Sequence, residues 1–201
     1  MTDELEELGT KIQSMQEEMH RYLAYVHAQA YTDALTRVGN TTAYMELRQQ
    51  LEEHIAAREA AFGIAVFDIN LLKLVNDRFG HTAGDHIIQG AARAISDVFG
   101  VEHTYRIGGD EFVALANQVT EEELERRLEQ VEEHIRDFNR RQGEQGTLSM
   151  SKGAALFQPG RDSSFQEVFI RADDAMYAQK DAFHRQLKDY SRYPRLSEDV
   201  V

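Results

Sequence analysis

Arg106-Ile107-Gly108-Gly109-Asp110-Glu111-Phe112 is the stretch whose reading decides the fold. His103-Thr104-Tyr105 before it and Phe112-Val113-Ala114-Leu115-Ala116 after it are both β-prone. Two such runs around Gly-Gly-Asp predict a hairpin, with the glycines supplying the positive φ of a tight turn. The missing side chains also let a large polyanion approach the backbone, while Asp110 and Glu111 offer oxygen ligands to a hard cation such as Mg²⁺. Taken alone, the heptapeptide also reads as an ordinary turn with surface carboxylates.

Towards the N-terminus, Phe62-Gly63-Ile64-Ala65-Val66-Phe67 is a continuous apolar run, which predicts a central strand buried on both faces. It ends in Asp68-Ile69-Asn70, so a carboxylate sits at the carboxyl end of a buried strand, where α/β folds hold ligands. An aspartate there equally serves to cap the next helix. Leu71-Leu72-Lys73-Leu74-Val75-Asn76-Asp77-Arg78-Phe79 predicts a short helix, and Ala83-Gly84-Asp85 opens a longer one that buries Ile87, Ile88, Ala91, Ala92, Ile95 and Phe99. Asn76 and Asp85 carry the groups needed to read guanine, an amide for its carbonyl edge and a carboxylate for N1–H and the exocyclic amine. Separately each also fits a cap or turn, His81 fits a helix end, and Lys73 fits either a phosphate contact or solvated surface.

The chain begins with a helix of unusual regularity. Leu5, Leu8, Ile12, Met15, Met19, Tyr22 and Val26 recur at alternating spacings of three and four, the a/d seam of a coiled coil; a long helix packed along its own domain is the alternative, but so narrow a seam with charged flanks suits a partner helix better. β-Branched Ile12 and Val26 at a favour a parallel two-stranded assembly. After a turn-rich link, Tyr44, Leu47, Leu51 and Ile55 mark a second helix. Beyond the hairpin, Leu124, Leu128, Val131, Ile135 and Phe138 make a one-faced helix, and a strand over 147–157 follows Gly146. A last helix carries Phe165, Val168, Ala172 and Met176, with Lys180 at its end and a loosely ordered tail expected from His184.

Composition narrows the partners. A formal net charge of -13 over 201 residues argues against a nucleic-acid groove binder, which needs a basic face. The absence of cysteine excludes disulfides and thiolate chemistry and suits a cytoplasmic protein. No apolar run is long enough to insert in a membrane, and the acidic start is unlike a signal peptide.

Together these motifs resemble the GGDEF domain of bacterial diguanylate cyclases over residues 33–184. The resemblance rests on Asp33-Ala34-Leu35-Thr36, Asp68-Ile69-Asn70 with Lys73, Asn76 and Asp77, and Gly80-His81 with Gly84-Asp85. It continues through Gly108-Gly109-Asp110-Glu111-Phe112, Ser151-Lys152-Gly153, and Ala172-Asp173 with Tyr177 and Lys180. It implies an α/β fold of palm-like α+β type: a central, mostly antiparallel sheet flanked by helices, carrying the GGDEF hairpin and preceded by the coiled-coil helix. The expected organisation is a coiled-coil helix over 1–32, the catalytic domain over 33–184 and a tail over 185–201.

The implied activity is condensation of two GTP into cyclic di-GMP by a homodimer paired through the coiled coil, with an upstream sensor domain as a further partner. Asp68, Asp110 and the Ile69 carbonyl would hold Mg²⁺, with Mn²⁺ as the alternative ion. Asp110, Glu111 and Lys73 would be catalytic. Asn76, His81, Asp85, Leu71, Leu72, Gly108, Gly109 and Lys180 would bind substrate. The alternative reading is a degenerate module that binds GTP to regulate or dimerise without turnover, and a third is a plain scaffold. Three departures bear on this: Asn70 replaces a usual aspartate, Leu72 a phenylalanine, and His184 an arginine. The family's inhibitory Arg-x-x-Asp reads Phe99-Gly100-Val101-Glu102 here, so its arginine donor fork is missing.

Overall fold

The apolar run at the centre of the sequence becomes the central strand of the sheet. The computed structural model of the chain describes residues 2–142 and 147–191. Gly146, the Leu5 side chain and the tail beyond 191, all read above, lie outside the described residues. Strand β1 (Phe62–Ile69) is buried along its whole length. It pairs antiparallel with β3 (Glu111–Asn117) on one side and with β4 (Met150–Leu156) on the other. The short β2 (Thr104–Arg106) completes an antiparallel sheet of order β2-β3-β1-β4.

Side chains alternate across a strand, so β1 feeds two cores. Ala65, Phe67 and Ile69 pack with Ile87, Ala91 and Ile95 of α4 (His81–Phe99) and with Val131 and Ile135 of α5 (Glu121–Gln142). Phe62, Ile64 and Val66 pack with Tyr44, Leu47 and Leu51 of α2 (Thr41–Ala56) and with Phe165, Val168 and Met176 of α6 (Phe165–Ser191). Each fully buried Val, Leu, Ile, Phe or Met side chain among these is worth about 1.5–3 kcal/mol. Asp68 has the parity of Ile64 and Val66, so its carboxylate is directed to the α6 side. Gly153 makes that approach close, because a Cβ there would come within 2.2 Å of the Ala172 carbonyl and the Met176 nitrogen.

Helix α3 (Leu72–Phe79) joins β1 to α4, and one 3-10 turn (Val101–His103) leads into β2. Helix α1 (Thr2–Tyr31) precedes everything else, and Leu8, Ile12, Met15, Met19, Tyr22 and Val26 along it are all exposed. No helix among the described residues is long and apolar enough to cross a membrane.

Three local expectations change. Strand β4 begins at Met150 rather than at 147. Helix α6 continues past His184 to Ser191, so the expected loose tail starts with regular structure. Neither Gly108 nor Gly109 takes positive φ, because the connection of four residues between β2 and β3 turns without a left-handed residue. Their lack of a side chain matters for space instead. A Cβ on Gly108 would lie 2.6 Å from Glu111 Oε2, while one on Gly109 would face open space.

The α2–α6 core makes a test at alkaline pH. Burial pushes the Tyr44 phenol up to about 12 from the ordinary 10.0, with the nearby Arg48 charge opposing. Folding therefore favours the protonated phenol: its contribution is complete below pH 10.0 and is lost as pH rises towards about 12. Urea unfolding across that range should show falling stability in the wild type and a flatter profile in Tyr44→Phe. A residual slope is expected from Tyr105, which burial also raises.

Candidate active site

The hairpin is fastened to its surroundings through the backbone. The Asp110 carbonyl accepts from Ile69 N–H (2.9 Å), and the Glu111 carbonyl accepts from Ile107 N–H (3.0 Å). In the β1–β3 register Asp68 stands directly opposite Glu111, and on the other side opposite Ser151. The sheet therefore sets the first strand's carboxylate beside the acidic end of the hairpin, although Glu111 lies 43 positions after Asp68 in the sequence.

Arg106 locks this end of the sheet to the link after α1. Its Nη1 donates to Asp33 Oδ1 (3.2 Å) and its Nη2 donates to the Gly109 carbonyl (2.8 Å). The Asp33 carboxylate also accepts from Thr36 N–H (2.9 Å) and Thr36 Oγ1 (2.6 Å). Burial alone would raise the Asp33 carboxyl, but the Thr36 hydrogen bonds and the Arg106 charge outweigh it and hold it below 3.8. The link itself is short and bonded. Asn40 N–H donates to the Tyr31 carbonyl and Asn40 Nδ2 to the Ala30 carbonyl, both 2.9 Å, while Asn40 Oδ1 caps α2 at Ala43 N–H (3.1 Å). Gly39 N–H donates to the Thr104 carbonyl (2.9 Å), and Arg106 N–H returns to the Gly39 carbonyl (2.8 Å).

Asp68 is the electrostatic centre. It is only 3% exposed, and Lys180 Nζ of α6 donates to its Oδ2 (2.7 Å). Its Oδ1 is buried without a partner. Burial raises the Asp68 carboxyl, opposed by Lys180 and reinforced by the charge of Asp110. Burial also raises Glu111, with Asp110, Asp68 and Asp173 adding to the effect. Four carboxylates thus act on one another here. Even so, among the described residues no three acidic or histidine side chains stand close enough together to hold a metal ion. The partnerless Asp68 oxygen and the neighbouring Asp110 suit a cation held by one or two carboxylates, with its remaining ligands from backbone, water or substrate, the habit of Mg²⁺.

The other residues singled out from the sequence lie along α3 and the start of α4. Leu71 takes a left-handed conformation (φ 58) at the turn out of β1, and Leu72 is half-buried against the α4 core. Lys73 is exposed on the first turn of α3, Asn76 is half-buried on the next, and His81 and Asp85 are exposed at the start of α4. A Cβ on Gly84 would come 1.9 Å from Asn76 Oδ1, so the bare backbone is what lets the Asn76 amide lie against α4. Asp85 also lines a cavity of about 690 Å³ with Leu35, Phe79 and Ala83. The structure therefore makes two groups: Asp68, Ile69, Asp110, Glu111 and Lys180 at the sheet end, and Asn76, His81 and Asp85 around the α3–α4 corner.

Two features escaped the sequence reading. Buried Asn70 donates to Ser149 Oγ (3.1 Å) and accepts from Ser151 Oγ (2.9 Å), which pins the turn after Asp68. The alternate Ser149 and Ser151 were its only sequence signal. The Arg106–Asp33 pair had none, since its members are 73 residues apart.

The family model described as "Diguanylate cyclase, GGDEF domain" matches residues 30–186. The chain belongs to the GGDEF domain family. The diguanylate cyclase DgcP of Pseudomonas aeruginosa is 32% identical over 187 residues, covering 89% of this chain and 27% of DgcP. The diguanylate cyclase DosC of Escherichia coli K12 is 28% identical over 151 residues, covering 74% of this chain and 32% of DosC. The chain thus spans about a third or less of these curated relatives. The coiled coil and GGDEF domain of DgcB from Caulobacter crescentus, solved with c-di-GMP, aligns with a TM-score of 0.71 at 26% identity, covering 89% of this chain and 95% of that one. In this GGDEF domain Phe99 is a core residue, edge-on to Phe67 at 6.2 Å and covered by the Arg127 guanidinium at 5.8 Å.

The Arg106 clamp can be tested by its removal. Both members are largely buried, at 15% and 23% side-chain exposure, so Arg106→Met leaves the Asp33 charge without its partner. A loss of about 2 kcal/mol is expected, below the 3–5 kcal/mol of a fully buried pair. Urea unfolding at neutral pH measures it, and Asp33→Asn combined with Arg106→Met should cost less than the sum of the single changes.

Proposed function

We propose that this domain is an active diguanylate cyclase that joins two GTP molecules into cyclic di-GMP as a homodimer. One observation carries the reading: the intact Gly108-Gly109-Asp110-Glu111-Phe112 hairpin is bonded to β1 so that Asp110 and Glu111 adjoin the buried Asp68. Asp68, Asp110 and the Ile69 carbonyl would hold Mg²⁺, or Mn²⁺ in its place. When bound, such a cation offsets the triphosphate charge and acidifies the attacking hydroxyl.

The chain's own groups do the rest. Asn76 and Asp85, with His81 beside them, hold guanine by its polar edge; Leu71 and Leu72 support the nucleotide from the turn after β1. Lys73 and Lys180 bind the phosphates, Gly109 leaves room above the hairpin, and Gly108 admits the Glu111 side chain beside it. Asp110, with Glu111 next to it, draws the proton from the 3′-hydroxyl. The freed oxygen forms a bond to the α-phosphorus of the opposite GTP, the bond from that phosphorus to the bridging oxygen breaks, and pyrophosphate leaves. A second, symmetric transfer closes the ring.

Each protomer presents one hydroxyl and one α-phosphate, so two protomers must meet face to face. The exposed a/d residues of α1 suit that task, since a two-stranded coil buries such a seam. A further, sensory domain joined to α1 would then control activity through the dimer.

Chromatography of products after incubation with GTP and Mg²⁺ tests the activity. Asp110→Ala is expected to abolish cyclic di-GMP formation while leaving the far-UV spectrum and melting temperature close to wild type. Turnover near the wild-type rate would remove Asp110 from the chemistry.

Pairing through α1 has its own test. Ile12→Asp with Val26→Asp places two charges per helix in the seam, and unpaired buried charge costs several kcal/mol. The variant should sediment as a monomer, with specific activity rising steeply with protein concentration. Unchanged activity at high dilution would mean that something other than α1 pairs the sites.

A further inference from the structure

The charge of Asp68 is already answered by a cation in this structure, and that cation is a side chain. Lys180 Nζ lies 2.7 Å from Asp68 Oδ2, with side-chain exposures of 30% and 5%. Only Oδ1 is left without a partner. No three acidic or histidine side chains among the described residues form a ready metal cage. A divalent ion arriving alone at Oδ1 would share the Asp68 carboxylate with Lys180 and stand beside its ammonium, an unfavourable pairing of like charges in a partly desolvated site.

A divalent ion arriving on a polyphosphate meets a different site. The polyphosphate supplies a second anion within reach of the same ammonium. Lys180 is well built for such an exchange: its charge rides on a flexible four-carbon stem. The helix beneath it is fixed by the close contact of Gly153 with the Ala172 and Met176 backbone. The side chain can therefore move while α6 stays in place.

We infer that Lys180 is an exchangeable counter-ion that makes cation binding at Asp68 conditional on a polyphosphate. The ammonium neutralises Asp68 until the metal nucleotide seats, then passes to the phosphates. This rests on the proposed metal–nucleotide reading of the site and adds an order to it: the cation enters with the nucleotide, not before it. By linkage, the nucleotide strengthens cation binding by the same factor as the cation strengthens nucleotide binding.

The test is a titration of Mn²⁺, followed by its EPR signal, into nucleotide-free protein and into protein saturated with a non-reacting α,β-methylene GTP. Wild type should bind Mn²⁺ alone weakly and gain at least about tenfold with the analogue, within the usual range of site-to-site coupling. Lys180→Met should bind Mn²⁺ alone at least about tenfold more tightly than wild type and gain less from the analogue. Lys180→Gln, which keeps a hydrogen-bond donor without the charge, should behave like Lys180→Met and guards against misfolding of the latter. Equal nucleotide-free affinity in wild type and a folded variant overturns the inference. So does wild-type protein that binds Mn²⁺ as tightly without the analogue as with it, a comparison that needs no variant. Product formation from GTP is measured on the same wild-type preparation, so a chain that makes no cyclic dinucleotide sinks the functional reading separately.

Discussion

A carboxylate buried in the middle of a sheet is the constraint on which the rest of this structure depends. Asp68 sits on a strand covered on both faces, where an unpaired charge would cost several kcal/mol. The solution uses elements from three distant parts of the chain. Helix α6 presses close enough over Gly153 to present Lys180. The hairpin supplies Asp110 and Glu111 through an antiparallel register. Asn70, held between Ser149 and Ser151, fixes the turn that follows. One oxygen of Asp68 is still left without a partner, an uncommon state for a buried polar atom.

The two cores explain why this arrangement is rigid. Alternation along β1 sends Phe67 and Ile69 to the α4–α5 side and Ile64 and Val66 to the α2–α6 side. A register shift of one residue would exchange those faces and turn Asp68 away from α6, so the same packing that stabilises the sheet also aims the carboxylate.

Much of the fold was legible because periodicity is a local signal. The run 62–67 reads as a doubly covered strand, and the order of helices and strands follows from their spacings. The motif residues around the hairpin carried the family resemblance, which the match over residues 30–186 bears out. What stayed hidden is tertiary. Nothing local in Lys180 says that it answers Asp68, 112 residues earlier, or that Arg106 reaches Asp33. The hairpin glycines misled for a different reason. Glycine permits positive φ without requiring it, and here the four-residue connection needed only their small size. The end of α6 misled because polar composition around His184 lowers hydrophobic periodicity without breaking a helix.

The junction between α1 and the sheet has a mechanical meaning. From the Ala30 and Tyr31 carbonyls to Asn40, and from the adjacent Gly39 to Thr104 and Arg106, the links are hydrogen bonds of 2.8–2.9 Å, and Arg106 then grips both Asp33 and Gly109. A glycine–serine tether of similar length would absorb a twist at the helix end as slack. This junction behaves instead as a stiff coupling. A rotation of the last turn of α1 must either break those bonds or be passed on to the edge of the sheet where Gly109 sits.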